Sequence, residues 1–340
     1  MKIDFNNLKI NQLNPVNKFE KKIIFFLEEW LSHTEKVKIQ TSGSTGIPKI
    51  FEIEKSRMLS SAKMTCDFLD LKKENSALLC LPIEYISGKM MIARAFERKL
   101  ILITKEPSTN PLQEINDFID FCAMTPLQVE NSLSKIHWIK NLIIGGASVS
   151  ESLKKKISQT LGNSHSLTRI FETYGMSETL SHIALKQIYP VQETFFTILD
   201  GIKISTDERK CLTISAPKLN PEVLQTNDIV ELISEKQFRF LGRYDNVINS
   251  GGIKIFAEEL ENLVKRNIDR DLIFIGKPDE KLGEKLVLVI EGVTTEEINH
   301  HLSQINYESK FHIPKEILFL EKFPRSENGK VLRREVLKLI

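Results

Sequence analysis

The sequence predicts an α/β protein: a large N-terminal domain with a mostly parallel sheet flanked by helices and a β-rich subdomain, then a small α+β C-terminal domain. Three observations predict it. In the first half of the 340 residues, short apolar runs of strand length alternate with helix-periodic segments, the pattern of βα units. From about Thr194 the texture turns to closely spaced strands. Around Gly242 it changes again, to an α+β unit of roughly a hundred residues, a normal size for a small domain. The expected boundaries are 1–242 for the core (1–192 the α/β part, 193–242 the β-rich part) and 243–340 for the C-terminal unit.

Each element has its own signal. Within 19–31, Ile23, Phe26, Leu27, Trp30 and Leu31 fall at i, i+3, i+4, i+7 and i+8, an amphipathic helix. Residues 56–69 read as a helix capped by Ser56. ALLCL at 77–81, LILI at 100–103, FCAM at 121–124 and NLII at 141–144 read as short buried strands. FFTIL, Asp200-Gly201 and IKIS read as a hairpin with a tight turn. CLTIS at 211–215 and IVELI at 229–233 continue as strands. In the last unit, 256–266 and 295–305 have helical spacing, while 272–275, 286–290 and 317–320 read as strands.

Bulk composition excludes several classes. The formal net charge is +2, too small a field to gather nucleic acid or an anionic membrane. Cys66, Cys80, Cys122 and Cys211 stand apart, with no C-x-x-C pair and no zinc-ligand spacing. Buried free thiols in a reducing compartment is the favoured reading. The N-terminal MKIDFNNLKINQLN lacks an apolar signal core, and apolar runs such as 23–27 are too short to span a bilayer. A cytoplasmic protein without membrane insertion is expected; a homodimer is left open.

Four stretches carry chemistry. TSGSTGIPK at 41–49 holds four hydroxyls, two glycines and Lys49, and no acidic residue. Glycines let backbone N–H groups approach a phosphate, hydroxyls add donors and the lysine adds charge. The spacing is not that of the NTPase P-loop. On composition a linker and a phosphate loop stand level, and the absence of carboxylates favours phosphate. In TYGMSET at 173–179, Glu178 could hold Mg²⁺ beside a nucleotide; alone, an ordinary polar turn is the better reading. GRYDNVINSGGIKIFAEELE at 242–261 places Arg243, Asp245 and Gly251-Gly252 where the texture changes, which also suits an interdomain linker followed by an acidic helix N-terminus. In FPRSENGKVLRREV at 323–336, Lys330 read alone is a surface lysine.

Together, in this order, the four resemble the motifs of the adenylate-forming superfamily of acyl-CoA synthetases, adenylation domains and luciferases. The resemblance runs from Thr41 to about Arg334. It implies ATP, Mg²⁺ and CoA as small-molecule partners, and a C-terminal domain that is mobile between two half-reactions. It implies that Thr41, Ser42, Gly43, Ser44, Thr45, Gly46 and Lys49 cradle the β- and γ-phosphates. Lys330 would bridge carboxylate and α-phosphate during catalysis, and Glu178 would ligate Mg²⁺. Ser177 or Thr179 would meet the α-phosphate in the Tyr174-Gly175 motif. Gly145, Gly146 and Ala147 would flank adenine, with Tyr174 stacked on it. Asp228 and Arg243 would hold the ribose, Asp245 would be the hinge, and Gly251 and Gly252 would line the CoA channel.

LPIEYISGKMMIARAF at 81–96 bears on the acid. Its LP-x-x-x-x-SG-x₅-R pattern, with Tyr85, Ser87, Gly88 and Arg94, resembles that of the o-succinylbenzoate–CoA ligases of menaquinone synthesis. There the arginine is associated with a substrate carboxylate. A dicarboxylate needs a fixed cation at the end that does not react, and arginine suits it. Without the resemblance Arg94 would read as a salt-bridged helix residue. Tyr85 replaces the usual histidine. The phosphate loop starts at residue 41, where the family has well over a hundred residues before it, so a reduced N-terminal subdomain is expected. His182 reads as a structural histidine near the site. The expected activity is activation of o-succinylbenzoate as an acyl-adenylate and transfer to CoA. Another aryl- or acyl-CoA ligase, or a standalone adenylation enzyme loading a carrier protein, is the alternative.

Overall fold

The computed structural model describes residues 1–40, 50–162, 167–325 and 331–340. In chain order its elements are β1 (Lys2–Asp4), α1 (Lys18–Leu31), β2 (Lys36–Gln40), β3 (Ile50–Glu54), α2 (Lys55–Phe68), β4 (Ser76–Leu79), α3 (Ile86–Arg98), β5 (Ile101–Thr104), β6 (Ile119–Met124), α4 (Pro126–Asn131), β7 (Ile139–Ile144), α5 (Glu151–Gly162), β8 (Arg169–Gly175) and β9 (His182–Tyr189). There follow β10 (Phe196–Ile198), β11 (Lys203–Thr206), β12 (Cys211–Ala216), β13 (Asn220–Ser234), β14 (Gln237–Arg243), β15 (Val247–Ser250), β16 (Ile253–Phe256), α6 (Ala257–Lys265), β17 (Leu272–Asp279), β18 (Gly283–Glu291), α7 (Glu296–Ser303), β19 (Glu316–Leu320) and α8 (Arg333–Lys338).

Local chemistry accounts for these ends. Asn17 caps α1 by accepting from the Glu20 N–H, and Thr295 caps α7 in the same way through Ile298. Thr125 and Gln128 close a capping box around α4, with Pro126 in its first turn. Ser56 is not a cap: α2 begins one residue earlier, and Glu54 precedes it without a side-chain bond. Leu31, at the end of the predicted apolar stripe, is exposed, while Ile23, Phe26, Leu27 and Trp30 are buried.

One sheet of 12 strands runs β1-β5-β4-β6-β7-β8-β9-β10-β14-β13-β12-β11. Only β5, β4, β6, β7 and β8 are parallel to one another; from β9 onward the pairing is antiparallel. The β-rich part thus continues the same sheet. The predicted hairpin across Asp200-Gly201 does not form. β10 lies between β9 and β14, and β11 is the far edge strand on β12. Gly201 makes the turn at φ +83°, but β10 already has partners on both sides, so the chain leaves it instead of folding back. A second sheet runs β16-β15-β18-β17 with β19 parallel to β18, and β2–β3 form a separate antiparallel pair.

The cores follow the sheets. One buried cluster packs α1, α2 and α3 on the large sheet, and another packs the strands against α5 on its opposite face. Two further clusters, from Ile248 to Val336, line the faces of the five-stranded sheet. From β4 the chain first goes to β5 on one side, then crosses to β6 on the other. The carboxyl ends of β4 and β6 therefore diverge at a switch point, where parallel sheets bind ligands.

Candidate active site

The expected residues collect beyond that edge. Residues 81–88 leave β4, Gly145–Ala147 leave β7, and Tyr174 to Thr179 end β8. His182 begins the antiparallel β9, and Asp228 and Arg243 face each other across β13 and β14. Thr41, Ser42, Gly43, Ser44, Thr45, Gly46, Lys49 and Lys330 lie outside the described residues. Their described neighbours are Gln40 and Ile50, paired across β2–β3, and Arg325 and Val331, joined by an isolated bridge.

A cleft of about 300 Å³ is lined by Gly175, Met176, Glu178, Thr226, Asn227, Asp228 and Arg243, among others. A larger one of about 400 Å³, between α5 and Arg266, holds none of the expected site residues; the smaller cleft is the chemical one because charge and glycine converge there. Gly175 is required by packing: a Cβ would strike the Ser181 carbonyl and the His182 backbone. Asp228 is 7% exposed. It accepts from the Tyr174 hydroxyl at 2.5 Å and pairs with Arg243 Nη1 at 3.0 Å. Burial, reinforced by the Asp228 charge, holds the Tyr174 phenol protonated far above the usual tyrosine range. The Tyr174 ring packs against Phe196 and Phe238, with centroids 5.6 and 5.0 Å away.

Arg243 also reaches Asp245, Nη2 to Oδ2 at 3.4 Å, and Asn227 reaches the same oxygen at 3.4 Å. Glu178 is exposed and makes no ion pair among the described residues. Of the two hydroxyls beside it, Ser177 is open. Thr179 is fully buried, with its Oγ1 bonded to the Met176 and Ser181 carbonyls at 3.0 and 2.8 Å. Of the two alternatives for the α-phosphate contact, Thr179 has its hydroxyl engaged in closing the turn. Gly145 donates to the Met124 carbonyl at 3.1 Å, and Gly146 and Ala147 are exposed beyond it. Gly251 and Gly252, at φ +59° and +81°, form the two-residue turn of the β15–β16 hairpin, a geometry that demands positive φ at both positions.

Arg94 is the unusual group. It is 2% exposed on α3. Nη2 donates to Ser181 Oγ at 2.9 Å, Nη1 approaches Met91 Sδ at 3.7 Å, and the guanidinium lies 5.9 Å from the Phe121 ring centre. Nε has no partner and no carboxylate pairs with the side chain among the described residues. Burial lowers its pKa to about 10, which still leaves it charged at neutral pH. The adjacent Cys66 thiol is pushed up to about 11 by burial and stays neutral. An uncompensated buried cation costs several kcal/mol; the observation calls for an anionic ligand. Gly88 lets α3 begin here, since a Cβ would strike the Pro82 carbonyl, while Tyr85 and Ser87 are exposed at the start of the helix.

Thr65, Ser181, Asn227 and the aromatic bed of Phe196 and Phe238 were not singled out from sequence. Ser181 and His182 follow TYGMSET after Leu180, so the motif's continuation was the available signal.

Fold and cleft together define an adenylate-forming enzyme. Residues 37–200 match the model of the AMP-binding enzyme family. A crystal structure of an acyl-CoA synthetase (AMP-forming)/AMP-acid ligase II-like protein from Dyadobacter fermentans is 34% identical, with 100% of this chain and 99% of that one covered, at a TM-score of 0.69. The chain belongs to the AMP-binding enzyme family. It is also 24% identical to the 2-succinylbenzoate–CoA ligase of Lactococcus lactis, over 97% of this chain and 80% of that one. The O-succinylbenzoate–CoA synthetase of Bacillus subtilis, solved with ATP and magnesium, shares the fold at a TM-score of 0.71 with 20% identity, over 88% of this chain and 69% of that one.

Proposed function

We propose that this chain is an ATP- and CoA-dependent acid–thiol ligase that activates o-succinylbenzoate as an acyl-adenylate and transfers the acyl group to CoA. The observation that carries the choice of acid is Arg94, a buried cation without a carboxylate partner among the described residues. The names of the Lactococcus and Bacillus relatives agree with it.

A carboxylate oxygen attacks the α-phosphorus of ATP and expels pyrophosphate. The CoA sulfur then attacks the acyl carbon, loses its proton and expels AMP. Both reactants of the first step are anions, so the protein's work is positioning and charge neutralisation. Arg94 takes the carboxylate that does not react. Asp228, held by Arg243 and Tyr174, accepts from the ribose hydroxyls. Gly145–Ala147 flank the base, and Ser177 meets the α-phosphate. Residues 41–49 and Lys330 serve the phosphates and the reacting anions. The Glu178 carboxylate suits Mg²⁺: among the described residues no group of three or more His, Cys, Asp or Glu gathers, so the ion would draw its other ligands from phosphate and water. Magnesium, when bound, neutralises phosphate charge. The unit from Asp245 onward turns about that residue between half-reactions, bringing Gly251-Gly252 toward the CoA path. All four cysteines are buried free thiols, which supports work in the reducing cytoplasm.

The test is direct. Incubation with o-succinylbenzoate, ATP, Mg²⁺ and CoA yields o-succinylbenzoyl-CoA, AMP and pyrophosphate by mass spectrometry. Lys330→Ala abolishes acid-dependent pyrophosphate release; full retention would overturn the adenylation assignment.

A further inference from the structure

Behind Arg94 lies a chain of hydrogen bonds. Thr65 Oγ1 is 3.1 Å from the Ser61 carbonyl one helical turn back and 3.1 Å from His182 Nε2. His182 Nδ1 is 3.4 Å from Ser181 Oγ, which receives Arg94 Nη2 at 2.9 Å. His182 is 6% exposed, and burial together with the Arg94 charge keeps its imidazole neutral.

The proton inventory orders this chain. Thr65 has one hydroxyl proton and gives it to the Ser61 carbonyl, the usual back-bond of a helical threonine. Toward His182 it must therefore accept, which places the imidazole proton on Nε2. Nδ1 is then an acceptor, so Ser181 donates to it and its oxygen lone pairs turn to Arg94. Every member donates once along one direction, the arrangement in which hydrogen bonds polarise one another. The result pins Nη2, while Nη1 has only the weak acceptor Met91 Sδ at 3.7 Å and Nε has no partner.

We infer that His182, acting through Ser181, is a positioning residue that orients Arg94 and so sets the preference for an acid with a second carboxylate. The inference rests on the Arg94 reading above. Its reach is specificity: Ser181 and His182 adjoin Gly175 through backbone, but the relay side chains bond Arg94 and not the Asp228–Arg243 pair, so the effect should fall on KM for the acid.

The test measures kcat and KM for o-succinylbenzoate, and for the better of the two mono-acids that each lack one of its carboxylates, in Arg94→Ala, Ser181→Ala, His182→Leu and His182→Gln. Ser181→Ala and His182→Leu raise KM for the dicarboxylate about tenfold, the size of one charge-assisted hydrogen bond. They leave its kcat, the KM for ATP and the mono-acid kinetics near wild type. His182→Gln, which can still donate and accept, recovers most of the loss. If Arg94→Ala raises KM while Ser181→Ala does not, the relay is overturned and the Arg94 reading stands. If Arg94→Ala changes nothing, that reading falls as well. Side-chain ¹⁵N spectra of the wild-type enzyme at neutral pH give an outcome independent of folding in the variants: a neutral Nε2–H tautomer for His182 is expected, and an Nδ1–H tautomer or an imidazolium overturns the relay.

Discussion

Arg94 and Arg243 are two arginines in opposite electrostatic positions, Arg243 in the lining of the cleft and Arg94 buried on α3. Arg243 is 44% exposed in its side chain and has two carboxylates, Asp228 at 3.0 Å and Asp245 at 3.4 Å. Arg94 is buried, and its bonded partner is the neutral Ser181. A cation that already has carboxylates holds protein groups in place; a buried cation without one is incomplete until an anion arrives. The first arrangement is scaffolding: it holds the Asp228 and Asp245 carboxylates in place. The second reads as a ligand site, at some cost to the empty protein.

The largest effect that could break this contrast is Arg94→Ala. It lowers kcat/KM for o-succinylbenzoate about a hundredfold, through loss of a charge-assisted bidentate partner. Yet thermal stability holds or rises, because an uncompensated buried charge is gone. A large drop in Tm with unchanged kinetics would make Arg94 a structural residue like Arg243. Next in size, Asp228→Asn raises KM for ATP about tenfold. Tyr174→Phe takes one bond from Asp228 and costs about 1–2 kcal/mol of stability in denaturant titration.

The smallest effect is on acid stability. His182 has its pKa well below the ordinary 6.5, chiefly from burial and then from Arg94. Cys66, also facing Arg94, stays a neutral thiol. The unfolded chain therefore binds a proton on His182 that the folded chain refuses. Stability from this group is present above about pH 6.5 and is lost as pH falls below it. Melting curves across that window should be flatter for His182→Gln than for wild type.

Of the parallel strands, β4, β5, β6 and β7 were legible as the short apolar runs ALLCL, LILI, FCAM and NLII, while β8 was not singled out because its sequence RIFETYG mixes charged and apolar residues. The β10–β11 hairpin was misread because Asp200-Gly201 specifies a turn but not partners. Which strand β10 joins is decided by β9 and β14, distant in sequence. Ser56 failed as a cap because α2 starts directly from β3 at Lys55. At the site, Asp228 and Arg243 were legible as charged residues in recognisable words, but that they face each other follows from the β13–β14 register. The Thr65–His182–Ser181–Arg94 chain joins α2, β9 and α3. No local pattern announces three elements meeting at one guanidinium.

The most direct test of the central claim is the coupling between Arg94 and the second carboxylate. Acid-dependent pyrophosphate release is measured for o-succinylbenzoate and for its two mono-acid analogues, with wild type and Arg94→Ala. The account predicts a wild-type preference for the dicarboxylate of about a hundredfold that collapses toward unity in Arg94→Ala. A preference that survives the substitution, or a wild-type enzyme that adenylates a mono-acid equally well, would contradict it.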